Sequence, residues 1–147
     1  MIVKLGQDLS ARDIEVLIKY AKMNKDVERL VALLQAVDTR IKCRLEGSDK
    51  LVNASEVYYF ESVDKKTFVY CEQSVYSKQM RLYQIIEGLG HLGFIQINKS
   101  CLLNINVLDG IKQLPNSRME ATLINGERLF ITRKYLENIR KALQEGV

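Results

Sequence analysis

The spacing of apolar residues changes near residue 39, and the change separates a helical segment from a mainly alternating part of the chain. Residues 24–37 carry apolar side chains at intervals of three and four, which predicts an amphipathic helix. Its apolar positions are Val27, Leu30, Val31, Leu34 and Val37. Asn24 is a favourable N-cap, and Asp26 falls in the first turn, where a carboxylate is stabilised. From residue 39 the interval becomes two, which is typical of half-exposed antiparallel strands.

Short alternating stretches dominate the chain after residue 46, with two further helical patterns among them. Strands are predicted over residues 39–47, 50–57, 57–63, 67–72, 94–97, 101–108, 117–124 and 127–132. Helices are predicted over residues 81–90 and 133–143, the second with Thr132 as its cap. The fold class is therefore mostly β with short helices (α+β), built from packed antiparallel sheets.

Two turns stand out in this pattern. Asn125-Gly126 lies between two alternating stretches and predicts a tight type I′ hairpin, since both central residues of that turn need positive φ. Asn98-Lys99-Ser100 interrupts the apolar stretch 94–108 with a short polar bend that carries a cation. Such a bend is either an ordinary hairpin turn or a projecting contact group.

The N-terminal part is less regular. Residues 2–5 predict a short strand, and residues 12–20 fit both a helix and a strand, with the strand favoured. We expect an N-terminal strand and helix extension over residues 1–45 and a mainly β domain over residues 46–147. The helix at 24–37 either seals the core of that domain or offers a surface for dimerisation.

Composition excludes several classes of protein. The chain has 147 residues, a net charge of +4 and no apolar run of the roughly 18 residues that a membrane span needs. No secretory signal is visible at the N-terminus, which predicts a cytoplasmic location. His91 is the single histidine, and the three cysteines lack metal-ligand spacing. With no catalytic motif in the chain, we expect neither an enzyme nor a bound cofactor or metal.

Three basic turns and an aromatic cluster are the candidates for function. The turns are 64–66, 98–100 and 132–134, each between two regular elements. If they lie along one edge of a sheet, they offer separated contacts to a polyanion. The aromatic cluster at 58–60 fits core packing better than base stacking.

The order of these landmarks resembles the LytTR family of DNA-binding domains over about 90 residues. The matching stretches are YYFES with its charged turn, a helix followed by FIQINKSCLLN, the hairpin MEATLINGERLFI, and TRKYL at the last helix. The resemblance implies packed antiparallel sheets of the LytTR type and a transcriptional regulator that contacts successive major grooves with loops. The short stand-alone members of the family carry a small N-terminal extension, as this chain does.

The resemblance also implies DNA-binding residues. Lys99 and Arg133 match the base-contacting loop positions, and the turn at Lys65, Lys66 and Thr67 matches a third contact loop. Nearby polar or phosphate contacts would come from Asn98, Ser100 and Lys134. The chain departs from the family at Gln96, where a basic residue is frequent, and at Asn98, where histidine is frequent. The departure puts the affinity and the preferred DNA sequence in question.

The partners that the resemblance implies are double-stranded DNA, a second copy bound to a direct repeat, and a small membrane protein that restrains the regulator. The helix at 24–37 is a candidate surface for that restraint as well as for dimerisation. No small-molecule substrate is expected. Two other functions stay open. One is a protein-interaction module without DNA binding, and the other is a redox sensor acting through Cys71 or Cys101.

Overall fold

Alternating strands form two antiparallel sheets in the computed structural model, which describes residues 1–143. The helices in this part of the chain are α1 (Lys25–Val37), α2 (Leu82–Leu89) and α3 (Leu136–Leu143). The strands are β1 (Arg40–Leu45), β2 (Ser48–Asn53), β3 (Val57–Val63), β4 (Lys66–Cys71), β5 (Val75–Lys78), β6 (Phe94–Asn98), β7 (Cys101–Asn104), β8 (Leu108–Leu114), β9 (Arg118–Leu123) and β10 (Arg128–Ile131). The predicted fold class is confirmed.

The larger sheet has seven strands in the order β2-β1-β5-β4-β3-β7-β6, and the smaller has three in the order β10-β9-β8. Every pair of neighbours is antiparallel. Antiparallel order alternates the direction of successive strands, so hairpin turns fall at alternate ends of a sheet. The sequence patterns missed β5, the short strand that joins β1 to β4.

The two faces of the larger sheet bury separate apolar clusters. One cluster gathers Phe60, Val69 and Leu102 with Ile85 of α2 and Ala36 of α1. The other gathers side chains of β3, β6 and β7 with the smaller sheet and α3. Its buried members are Tyr58, Tyr59, Ile97, Cys101, Leu103, Val107, Ala121, Leu123, Leu129, Ile131 and Ile139. Because both faces are covered, residues 57–60 of the central strand β3 are all buried.

The aromatic cluster in β3 belongs to this core. Tyr59 stacks on Tyr70 with ring centroids 4.3 Å apart, and its hydroxyl donates to Glu127 Oε1 at 2.6 Å. Burial raises the pKa of Tyr59 well above its ordinary value, and the adjacent Glu127 carboxylate acts in the same direction. The interpretation as core packing therefore holds, and the hydrogen bond joins β3 to the loop between β9 and β10.

The helix α1 forms as the spacing predicts. The Asn24 side chain accepts a hydrogen bond from Val27 N at 3.0 Å, the predicted N-cap. Ala36 is buried in the core, whereas Leu33 and Val37 are 39% and 53% exposed. The helix thus seals the domain with one end of its apolar face and leaves other apolar side chains in solvent.

The predicted strands at residues 2–5 and 12–20 do not form. The described chain has no helix or strand before Lys25. An alternating stretch becomes a strand only where a neighbour supplies the ladder of hydrogen bonds, and these residues have no such neighbour in the part of the chain that the structure describes.

β1 precedes the domain boundary that we predicted near residue 46, yet it is part of the larger sheet. It pairs with β2 from Arg40↔Asn53 to Leu45↔Ser48 and contributes Ile41 to the core. Residues 40–45 therefore belong to the larger sheet structurally.

The hairpin at Asn125-Gly126 forms, but its predicted turn type is wrong. Only Gly126 of this pair has a positive φ, 88°, and the loop spans residues 124–127 between β9 and β10. Leu123 N donates to Glu127 O at 2.8 Å, and the Asn125 side chain accepts from Glu127 N at 3.0 Å. This side-chain hydrogen bond favours the longer loop over a two-residue turn.

One local motif occurs twice, each time in the connection between two strands. Asn53 and Asn104 each end a strand, accept a hydrogen bond from the main-chain N two residues later, and start a short 3₁₀ turn. Asn104 is buried, and its Nδ2 also donates to Val57 O at 2.8 Å. The amide thus satisfies main-chain groups of β3 and of the 105–107 turn inside the core.

The three cysteines lie in or against the core. Cys43 and Cys101 are buried and Cys71 is half-buried; none of them forms a disulfide. Burial raises the pKa of Cys71 to about 11 and that of Cys101 further. Since the thiolate is the reactive form, these environments disfavour the redox-sensor hypothesis.

We expect Asn104→Ala to lower the free energy of unfolding by about 2 kcal/mol, because it leaves a buried carbonyl and a main-chain N–H without partners. Urea denaturation followed by circular dichroism measures the loss. Asn53→Ala, the same motif at a half-buried site, is the matched control and should cost about half as much. Equal losses would show that burial of Asn104 is not the cause.

We expect Cys71 of the folded chain to react with a disulfide reagent at pH 8 about 100-fold more slowly than in urea, because a thiol with a pKa near 11 is rarely ionised. The unfolded thiol loses its proton near its ordinary pKa of 9.0, and folded Cys71 near 11. Between pH 9 and pH 11 the unfolded state binds fewer protons than the folded state, so the free energy of unfolding should fall as the pH rises. Cys71→Ser should remove part of that fall, and similar native and unfolded reaction rates would contradict the prediction.

Candidate nucleic-acid interface

The turn between β3 and β4 is a two-residue hairpin with a strained backbone. Asp64 and Lys65 have φ values of 48° and 68°, and Val63 pairs with Lys66 across the turn. Positive φ at both central residues is what a type I′ turn requires. Lys65 is exposed, while Lys66 is half-buried with its Nζ 5.6 Å from the Phe68 ring centroid.

Thr67 is the one predicted contact residue that the structure buries completely. It is 0% exposed, and its hydroxyl donates to Met80 O at 2.6 Å. A side chain in this position cannot touch a phosphate, so we correct its role from contact to support. The bond fixes the base of the turn against the segment before α2.

The turn between β6 and β7 is organised by Asn98. Its Oδ1 accepts from Ser100 N at 2.9 Å and from Ser100 Oγ at 3.1 Å, and its Nδ2 donates to Phe130 O at 2.8 Å. The amide therefore bonds to Ser100 across the turn and to Phe130 of β10, and Lys99 is exposed at the tip. Asn98 and Ser100 hold this turn in shape, and Lys99 is its projecting group.

The third turn lies directly beside the second. Thr132 N donates to Ile97 O at 3.0 Å, so the chain leaving β10 runs against the end of β6. Arg133 and Lys134 follow and are exposed, with Lys134 Nζ 5.6 Å from the Tyr135 ring centroid. The hydroxyl of Thr132 is buried and has no partner in the described chain, so the predicted side-chain cap is absent. Its main-chain carbonyl accepts from Tyr135 N at 2.9 Å.

Main-chain hydrogen bonds bring the three turns to one end of the larger sheet. Ser62 N donates to Ser100 O at 2.8 Å, which joins the first turn to the second. Glu61 pairs with Cys101, so the end of β3 meets the start of β7. Strand direction places the β1–β2 turn at the opposite end, since β1 runs opposite to β3. We call residues 64–67, 98–100 and 132–134 the basic rim.

The basic rim has a strong positive charge. It contains five cations, Lys65, Lys66, Lys99, Arg133 and Lys134, and one carboxylate, Asp64. None of the five cations forms an ion pair with a described residue, whereas Lys42, Arg44, Arg128 and Arg140 do. Unpaired cations also occur elsewhere on the surface. The rim differs because its cations project from turns that are bonded to one another.

The structure adds one candidate that the sequence patterns did not single out. Arg81 is exposed and follows Met80, whose carbonyl accepts the Thr67 hydrogen bond. It therefore lies beside the first turn of the rim. The sequence shows Arg81 only as the start of a helix, and its proximity to the turn depends on β4 pairing with β5.

Comparison with known proteins identifies the family of this chain. A family model described as the LytTr DNA-binding domain matches residues 48–144. A solved LytTr DNA-binding domain of a putative methyl-accepting/DNA response regulator from Bacillus cereus is similar at a TM-score of 0.66 and 27% identity. That alignment covers 71% of this chain and 96% of the solved one.

Whole-chain relatives agree with this match. An uncharacterized HTH-type transcriptional regulator of Staphylococcus aureus is 23% identical over 97% of this chain and 99% of its own length. The sensory transduction protein LytT of Bacillus cereus is 23% identical over 90% of this chain and 56% of its own length. No helix in residues 1–143 has the length and apolar character needed to cross a membrane. The chain belongs to the LytTR family of DNA-binding transcriptional regulators and is not an enzyme.

Proposed function

We propose that this regulator binds specific duplex DNA with the basic rim, whose turns enter successive major grooves on one side of the helix. The observation that carries the proposal is the set of hydrogen bonds joining the three turns, above all Thr132 N to Ile97 O at 3.0 Å. That bond puts the main chain at Arg133 next to the turn that presents Lys99. Two base-contacting side chains need such a fixed separation in order to meet fixed base positions.

Each cation of the rim has a role that its chemistry suits. Arg133 can donate two parallel hydrogen bonds to the O6 and N7 atoms of guanine, and Lys99 can donate to the same edge. Lys65, Lys66 and Lys134 would neutralise phosphates, which gives affinity without sequence information. Asn98 and Ser100 act indirectly, because their polar groups already hold the turn at Lys99.

A helix in the groove is the obvious alternative, because one relative carries a helix-turn-helix name. That motif needs two consecutive helices joined by a short turn. In residues 1–143, strands separate each α-helix from the next, so the elements for this motif are not adjacent. The charge on the turns favours contact by loops. An interaction module without DNA binding would leave five clustered cations of the rim without a role.

We extend the proposal to the arrangement on DNA. Two copies would occupy a direct repeat, each using its own basic rim on the same side of the duplex. The restraining partner would be a small membrane protein, as the family resemblance implies. Selection of bound oligonucleotides from a random pool tests the first point: a recovered motif with two half-sites in the same orientation supports it, and a single or inverted site contradicts it.

We expect Arg133→Ala to reduce discrimination between the selected site and scrambled DNA by about 1–3 kcal/mol, the value of one good base contact. Fluorescence anisotropy with both duplexes measures it. Lys50→Ala, which removes an exposed cation from the edge strand β2, is the matched control and should leave discrimination unchanged. An equal loss of affinity for both duplexes would show that Arg133 touches only phosphate.

Asn98→Ala should weaken specific binding without removing a charge, because it releases the turn that presents Lys99. The slope of log K against log salt concentration should stay near its original value, since the number of phosphate-neutralising cations is unchanged. If Lys99 also neutralises a phosphate, Lys99→Ala should lower that slope by about one unit. Unaltered affinity in Asn98→Ala would exclude a positioning role for this side chain.

A further inference from the structure

The segment before α1 is apolar and largely exposed to solvent. Residues 1–23 have ten large apolar side chains that remain exposed to solvent by 48% or more. These are Met1, Ile2, Val3, Leu5, Leu9, Ile14, Val16, Leu17, Tyr20 and Met23. Ile14 is 89% exposed and Leu17 is 79% exposed. An uncovered surface of this kind marks an interaction site in a soluble regulator.

The main chain of this segment is also without partners. Residues 14–20 are neither helical nor bent, and in the described structure no main-chain hydrogen bond joins them to another part of the chain. The bond from Ile14 N ends on the adjacent Asp13 carboxylate. A straight segment with unpaired N–H and C=O groups is a template for another strand. We call residues 13–21 the arm.

The two sides of the arm differ in character. Alternate residues Ile14, Val16, Ile18 and Tyr20 would lie on one side of a strand, and Glu15, Leu17 and Lys19 on the other. The apolar side faces α1, because Val16, Ile18 and Tyr20 line an open groove together with helical side chains. Those helical side chains are Val27, Val31 and Leu34. Val16 and Tyr20 stay 60% and 52% exposed in this groove, so the arm covers the apolar stripe of α1 only in part.

The arm is complementary to itself when it is read in the opposite direction. An antiparallel pairing about Leu17 places Glu15 of each copy opposite Lys19 of the other, so two oppositely charged pairs form. The same register places Val16 opposite Ile18 and keeps the apolar side on one face. Asp13 meets Ala21, and the one like-charged pair, Arg12 with Lys22, falls at the end.

We propose that the arms of two copies of this chain pair as antiparallel strands about a two-fold axis at Leu17 and form a dimer. Four apolar side chains from each arm would then cover the stripes of both α1 helices. A second copy fits this surface because the charge pairs and the apolar pairs both arise from one short sequence. Both copies would also gain a ladder partner for the main chain of residues 14–20.

This dimer is independent of DNA. The arm and the basic rim share no residue, so a dimer can form without DNA and a monomer can still bind DNA through its rim. A two-fold axis relates the rims of the two copies in opposite orientation, so the arm dimer is a separate contact from the side-by-side copies proposed for a direct repeat. Failure of the arm contact would therefore appear as a monomer that retains DNA binding. Failure of the proposed DNA function would appear as a dimer without salt-dependent DNA binding.

Sedimentation equilibrium of the full chain without DNA tests the pairing. The unmodified chain should be a dimer at micromolar concentration. E15K and K19E should each raise the dimer dissociation constant about ten-fold, because both charge pairs become repulsive. An equimolar mixture of E15K with K19E should restore association, since position 15 of each copy then meets the opposite charge at position 19 of the other. The double variant E15K/K19E should dimerise on its own.

Two controls keep the result interpretable. K4E makes the same charge change as K19E outside the paired register and should leave the dissociation constant within about two-fold of the original. Circular dichroism should show that every variant is folded, since the altered side chains are exposed. A monomeric native chain overturns the proposal and leaves the arm to a different partner. A dimer that tolerates both charge reversals overturns it too, because its contact lies elsewhere.

Discussion

The basic rim depends on hydrogen bonds that join turns from different parts of the sequence. Thr132 N to Ile97 O holds the segment after β10 against β6, and Asn98 Nδ2 to Phe130 O adds a second bond between the same strands. Ser62 N to Ser100 O completes the connection to β3. A contact group on an isolated loop would lose entropy on binding, and these bonds remove most of that freedom beforehand.

The layered core makes this arrangement possible. Because β3 is central and is covered on both faces, the turns at its end rise from rigid strands. The Tyr59 to Glu127 bond and the contacts of Ile139 attach the smaller sheet and α3 to the same strands. The segment that carries Arg133 is thereby fixed against the sheet that carries Lys99. The N-terminal arm is the opposite case, because nothing in the described chain covers its apolar side chains completely.

Particular residues show where sequence reasoning succeeded and where it did not. The cap at Asn24 and the alternation of β1 depend on neighbours in sequence, and both predictions are confirmed. The pattern predicts a type I′ turn at Asn125-Gly126, yet positive φ at both central residues occurs at Glu46-Gly47 and at Asp64-Lys65, and the second pair has no glycine. Cross-strand pairing on both sides of a turn can override the preference of its central residues. The family resemblance implies DNA contact for Thr67, and the helical pattern predicts Thr132 as a cap, yet packing buries both hydroxyls.

The sequence by itself determined the strand-rich class, the three helices and the three basic turns, because these follow from local periodicity and turn composition. The tertiary structure alone decided that the turns meet, that the Thr67 side chain is buried, and that Arg81 lies beside the first turn. Those facts depend on strand order and register, which arise from pairing between residues far apart in sequence. The arm shows the same limit: its alternation is visible in the sequence, but whether it forms a strand depends on a partner.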